Sequence, residues 1–130
     1  MATPAEIRAA IDRYIQTFSS NDPDAWAATF AEDATQEDPV GTPVNKGRDA
    51  IKEFYVNTSN MLGGDLKIFA KEEPIIIDHE AVISLYAQAG GGETRSRMPR
   101  IIDHLTFNED ASIASLRAFW TLESIEPDPE

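Results

Sequence analysis

The hydrophobic pattern of this chain changes period at Gly63-Gly64-Asp65, and that change restricts the fold more than any other feature. Ahead of it, apolar residues recur at the three- and four-residue spacing of amphipathic helices. Beyond it, they alternate at the two-residue spacing of half-buried strands. Helices gathered ahead of strands, rather than alternating with them, point to an α+β domain with helices packed on one face of a curved, mostly antiparallel sheet.

Local signals punctuate the helical half. Thr3 is placed to cap a helix, with Pro4 at its first position and Glu6 completing a capping box. Ile7, Ala10, Ile11, Tyr14, Ile15 and Phe18 then share one stripe, so Tyr14 is expected to face the core. Asp22-Pro23 restarts a helix whose apolar face carries Trp26, Ala27 and Phe30. That helix is expected to end before Glu32-Asp33-Ala34, which leads into a short extended stretch from Gln36 to Asp38 stopped by Pro39. Gly41-Thr42-Pro43 reads as a turn, and a third helix is predicted from Arg48 to Asn60 with Ile51, Phe54 and Tyr55 inward.

Strands are expected at Leu66 to Glu72, Ala81 to Ala89, Thr94 to Phe107 and Ala111 to Glu123, lengths that suit a strongly curved sheet. The 130 residues fit a single domain spanning 1–130 without internal repeats, with 126–130 expected to be a flexible tail. Composition narrows the function. Eleven basic against 23 acidic side chains give a formal charge of −12, which argues against nucleic acid and anionic membrane as partners. The absence of cysteine removes disulfides and thiolate-bound zinc, and suits a reducing interior. His79 and His104 lie outside any metal-ligand spacing. With no leader-like amino terminus and no membrane-length apolar segment, a soluble cytoplasmic protein without a metal is expected.

One charge is out of place. In Arg100-Ile101-Ile102-Asp103-His104-Leu105-Thr106-Phe107, alternation puts Asp103 on one face with Ile101, Leu105 and Phe107. A carboxyl buried there would have a raised pKa and persist as a neutral hydrogen-bond donor. The alternative is a solvated Asp103, with Ile102, His104 and Thr106 packed instead. A sheet curled over helices encloses an apolar interior, and the other chemistry-bearing candidates for it are Tyr14, on the core stripe, and Asp38, at the Asp-Pro element end. Taken singly, Tyr14 also reads as a packed ring and Asp38 as turn chemistry.

Taken together, these residues match a known pattern. Asp33-Ala34-Thr35-Gln36-Glu37-Asp38-Pro39-Val40-Gly41, with Tyr14 upstream and Ile102-Asp103-His104 followed by Phe107-Asn108 downstream, resembles the bacterial Δ5-3-ketosteroid isomerases of the cone-shaped NTF2-like, or SnoaL-like, superfamily. Gly47 through Phe54-Tyr55 and Arg117-Ala118-Phe119-Trp120 extend the resemblance over nearly the whole chain. It implies a cofactor-free conversion of a Δ5-3-ketosteroid into the conjugated Δ4 isomer. Asp38 would be the base that moves the proton from C4 to C6, while Tyr14 and a protonated Asp103 donate to the dienolate oxygen. This division between one ionised and one protonated carboxyl is the pattern for which ketosteroid isomerases themselves are the type case.

The resemblance also implies that Tyr55 hydrogen-bonds the catalytic tyrosine and that Trp120, Leu105 and Phe54 line the substrate cavity. Phe30 stands where family members carry a further tyrosine, so a shorter hydrogen-bond chain is expected. A homodimer pairing through the outer face of the sheet is implied as well, with His104 on that face. The chain departs from the family in the basic stretch Arg95-Ser96-Arg97-Met98-Pro99-Arg100. In a regular strand Arg95 and Arg97 share the parity of Asp103 and reach the cavity mouth; with a bulge at Pro99 they belong to a solvated hairpin edge. The basic stretch keeps open an isomerase or dehydratase acting on another carbonyl compound, and the scaffold also suits a noncatalytic steroid-binding domain.

Overall fold

Thr3 opens the first helix through a reciprocal box: its backbone N donates to Glu6 Oε1 at 2.8 Å, and the Glu6 N–H returns to Thr3 Oγ1 at 3.1 Å. In the computed structural model, which describes residues 2–128, this helix is α1, Pro4–Ser19, and it buries Ile7, Ala10, Ile11 and Tyr14. Asp22 caps the short α2, Pro23–Ala27, by accepting from Ala25 N at 3.0 Å. The third helix, α3, runs Arg48–Met61 with Ile51 and Tyr55 buried. It starts at Gly47, whose φ of 87° is a conformation that L side chains rarely adopt, and whose N–H is tied to Ala34 O at 2.8 Å.

The strands are β1 Phe30–Glu37, β2 Asn45–Lys46, β3 Lys67–Ala70, β4 Ile75–Ile77, β5 Glu80–Ala89, β6 Ser96–Phe107, β7 Ile113–Phe119 and β8 Glu126–Pro127. Among the described residues they form one sheet in the order β2-β1-β7-β6-β5-β3, with β4 paired to β5 and β8 to β6. Every pairing is antiparallel except β1 with β7. The helices pack on the inner face of this sheet, as the change of period predicts. No helix among the described residues is long and apolar enough to cross a membrane.

Several boundaries differ from those predicted, and β2 and β4 have no counterpart among the predicted strands. Phe30 opens a strand instead of closing a helix, because pairing with Ile113 of β7 and the Ile113 N–H to Thr29 O bond of 3.0 Å outweigh its helical spacing. The last long strand stops at Phe119, and Leu122–Ser124 forms a 3₁₀ turn. The tail predicted to be flexible is held over its first part: β8 pairs with Ser96 and Arg97, and the Asp128 N–H donates to Arg95 O at 2.9 Å. Residues 129 and 130 lie outside the described residues.

The departure that matters most for the site is a bulge in β6. Met98 pairs with Ala87 and Ile101 with Leu85, so Pro99 and Arg100 together stand opposite Tyr86. The extra residue resets the alternation, and Met98 and Ile101 both point inward. Arg95 and Arg97 thereby lose the parity of Asp103. Arg97 Nε meets Glu126 Oε1 at 2.7 Å and Arg95 Nε meets Asp128 Oδ2 at 3.3 Å, so both guanidiniums hold the carboxy-terminal segment at the hairpin edge.

Candidate active site

Beyond the bulge, β6 alternates without interruption. Ile101, Asp103, Leu105 and Phe107 are buried and Ile102 is 41% exposed, so the face carrying Asp103 is the inner one. Asp103 itself is 3% exposed. His104 points the other way and its Nε2 lies 2.7 Å from Glu80 Oε1 on the neighbouring strand.

Tyr14 reaches Asp103 from the opposite layer. An aromatic cluster fixes its ring: the centroid lies 6.0 Å from that of Trp26 and 6.2 Å from that of Phe30, and Trp26 in turn packs 4.9 Å from Phe30 and 5.3 Å from Tyr55. From this position the Tyr14 hydroxyl donates to Asp103 Oδ2 at 2.7 Å. Phe30 stands edge-on to the Tyr14 ring and has no hydroxyl to extend the chain, as expected. Tyr55 departs from the expectation. Its hydroxyl donates to Phe18 O at 2.7 Å, closing the gap between α3 and the end of α1, and so is not hydrogen-bonded to Tyr14.

Asp38 follows β1 and is held from both sides. Trp120 Nε1 donates to its Oδ1 at 2.6 Å, and Gln36 Nε2 to its Oδ2 at 3.3 Å. The turn beyond it is tied down by the Val40 N–H to Ala118 O bond of 2.8 Å. Glu37 adds a brace by accepting from Gly41 N at 2.9 Å and from Arg117 Nε at 3.0 Å. Gln36 was absent from the residues singled out by sequence. The available signal was parity, since Ala34, Gln36 and Asp38 fall on one face of an extended segment and Ala34 is buried.

Tyr14, Asp38, Asp103 and Trp120 line one cleft between the helices and the inner face of the sheet. Its walls are otherwise largely apolar, including Phe18, Phe54, Leu62, Leu66, Met98 and Ile101. Such a cleft suits a flat, largely apolar molecule with one polar end. Phe54 and Trp120 therefore sit where a substrate-lining role requires. Leu105 does not: it is fully buried, paired with Ala81 and Leu116, and packed below the cleft. Its parity with Asp103 is as predicted, but the interior is filled at its depth.

Burial sets the electrostatics. It pushes Asp38 up to about 6, against the opposing pull of the hydrogen bonds from Trp120 and Gln36. Burial, reinforced by repulsion from Asp38, pushes Asp103 up to about 7, while the bond from Tyr14 opposes the rise. The Tyr14 phenol is held well above its ordinary range by burial and then by the two carboxylates, so it keeps its proton. Both carboxyls are thus held toward their neutral forms, and the two hydrogen bonds Asp38 accepts offset part of its rise.

A tyrosine and two buried carboxyls converging in an apolar cleft under a curved sheet make a candidate small-molecule site. The chain belongs to the SnoaL-like family: the SnoaL-like domain matches residues 11–116. It is 36% identical, over 89% of its length and 90% of the relative's, to a steroid Delta-isomerase of Nocardioides simplex. Among solved structures it is similar to SalBIII, an epoxide hydrolase/cyclase-like enzyme of pyran ring formation in the polyether salinomycin. That similarity has a TM-score of 0.77 and 25% identity, covering 98% of this chain and 100% of the other.

Proposed function

We propose that the protein is a cofactor-independent steroid Δ-isomerase that converts a Δ5-3-ketosteroid to its conjugated Δ4 isomer. The observation that carries the reading is the cleft holding an ionisable Asp38 together with the hydrogen-bonded Tyr14–Asp103 pair. Asp38 removes a proton from C4, next to the ketone, and returns it to C6. The electron pair left at C4 delocalises through the 3-carbonyl to give a dienolate. Tyr14 and neutral Asp103 carry two hydroxyl protons between them, enough for both to serve the developing oxyanion. The Tyr14 hydroxyl, which donates to Asp103 in the free site, turns toward that oxygen as it charges, and donors held in an apolar cleft stabilise the charge more than they would in water.

The likeness to the Nocardioides simplex isomerase supports this substrate class, and the apolar walls favour an apolar ligand. The placement of Arg95 and Arg97 on the carboxy-terminal segment withdraws the main reason for preferring an acidic carbonyl compound. The test is formation of the conjugated enone, followed by its ultraviolet absorbance, from a 5-ene-3-ketosteroid. Wild type turns the substrate over and Asp38→Asn does not. Binding of the steroid without turnover or α-proton exchange would instead support a noncatalytic steroid-binding domain.

The reading includes a homodimer. Val82, Ile102 and Phe119 stand partly exposed on the outer face of β5, β6 and β7, the surface through which the ketosteroid isomerases pair. Sedimentation analysis is expected to give a dimer for wild type and a lighter species for Ile102→Glu; a monomeric wild type would remove this part of the reading.

A further inference from the structure

Gln36 is a buried amide with a defined direction. The side chain has no exposed surface, and it lies on β1 directly opposite Asn45 of β2. Asn45 Nδ2 donates to Gln36 Oε1 at 3.0 Å, and Gln36 Nε2 then donates to Asp38 Oδ2 at 3.3 Å. With its carbonyl accepting from Asn45, the amide turns its N–H toward the carboxylate.

On the reading of Asp38 as the proton-transferring base, we propose that Gln36, oriented by Asn45, is its positioning residue. Trp120 holds Oδ1 and Gln36 holds Oδ2, and together they fix the plane of the carboxylate against the cleft. A base that removes a proton from one carbon and delivers it to another has to remain aligned with both. Two donors on different oxygens limit rotation about the carboxyl bond while leaving lone pairs directed at the substrate. Gln36 is absent from the cleft lining, so it acts through Asp38 and not on the ligand. The hydrogen bond also favours the ionised form, in the direction opposite to burial.

The test compares wild type, Gln36→Met, which keeps side-chain length without the amide, and Asn45→Ala, which leaves Gln36 in place but free to turn. Two quantities are read in each folded variant. One is the titration of the Asp38 carboxyl by carbon-detected NMR; the other is kcat and KM on a 5-ene-3-ketosteroid. In Gln36→Met the Asp38 titration is expected to move up by about half a unit or more, the direction set by losing a bond to the charged form. Its kcat is expected to fall roughly three- to tenfold through misalignment, with KM within about twofold. Asn45→Ala moves the titration the same way by less. If Gln36→Met does not fold, the Asn45→Ala titration decides. An unmoved Asp38 titration in the folded variants overturns the proposal. The NMR arm needs no turnover, so an inactive wild type would remove the isomerase reading without deciding this one.

Discussion

The Tyr14 hydroxyl and Asp103 Oδ2 lie 2.7 Å apart although the two residues are 89 positions apart in the chain. Each also has a second reason to be there: Tyr14 is on the buried stripe of α1, and Asp103 on the buried face of β6. The contact joins the helical layer to the sheet and places a phenol and a carboxyl at one end of an apolar cleft. If both donate to the same developing oxygen, Tyr14→Phe lowers kcat by roughly a hundred- to a thousandfold, the usual loss for one oxyanion donor at about 3 to 4 kcal/mol. Steady-state kinetics of Tyr14→Phe, Asp103→Leu and the double variant check this. Sharing of one oxyanion predicts a double loss different from the product of the single losses.

The two acids predict a bell-shaped dependence of kcat/KM on pH. Activity rises as Asp38 ionises near pH 6 and falls as Asp103 loses its proton near pH 7, the two limbs belonging to the coupled pair. Asp103→Asn keeps a neutral donor at every pH. The alkaline limb should therefore vanish while the acid limb stays in place. Persistence of the alkaline limb in that variant would assign it to another group.

Stability should depend on pH through the same groups, with a definite sign. Asp103 has a folded pKa of about 7, above the ordinary value of 3.8, so the folded state binds its proton more tightly than the unfolded chain. Its contribution is complete below pH 3.8 and is lost as pH rises toward 7. Asp103→Asn is expected to match wild type near pH 4 and to become more stable by an amount approaching about 4 kcal/mol above pH 7. Urea unfolding at pH 4, 6 and 8 measures this; an advantage largest at pH 4 would reverse the sign and refute it.

The arginines of the β6 hairpin should be dispensable for chemistry. Arg97 and Glu126 are both about half exposed, and screened pairs of this kind contribute at most about 1 kcal/mol. Turnover of a ketosteroid by Arg95→Ala and Arg97→Ala is expected to stay within about twofold of wild type, with a Tm lower by a few degrees at most. A selective rise in KM for Arg97→Ala would place that guanidinium on the substrate.

Removing the indole donor should separate base strength from cavity shape. Trp120→Phe keeps an aromatic wall but deletes the 2.6 Å bond to Asp38 Oδ1, which holds the carboxyl pKa down. The acid limb of kcat/KM is expected to move to higher pH by about half a unit or more. An unmoved limb would show that the indole nitrogen does not support the carboxylate.

The sequence by itself determined the change of hydrophobic period at Gly63-Gly64, the capping box of Thr3 and Glu6, the inward stripe carrying Tyr14 and the sharing of one strand face by Asp103, Ile101, Leu105 and Phe107, while burial decided that this face is the inner one. These rest on local energies: caps satisfy groups within one helical turn, and period records which face meets water. Only the tertiary structure decided where Phe30 belongs, because its partner Ile113 is remote in sequence. The same is true of the bulge at Pro99-Arg100, which turned Arg95 and Arg97 away from the cleft, and of the space filled around Leu105. Gln36 between Asn45 and Asp38, and the burial that raises the Asp38 carboxyl, likewise had no local signature strong enough to assign them. Strand pairing is selected by distant neighbours, and a carboxyl pKa depends on the water removed around it, which no spacing along a chain records.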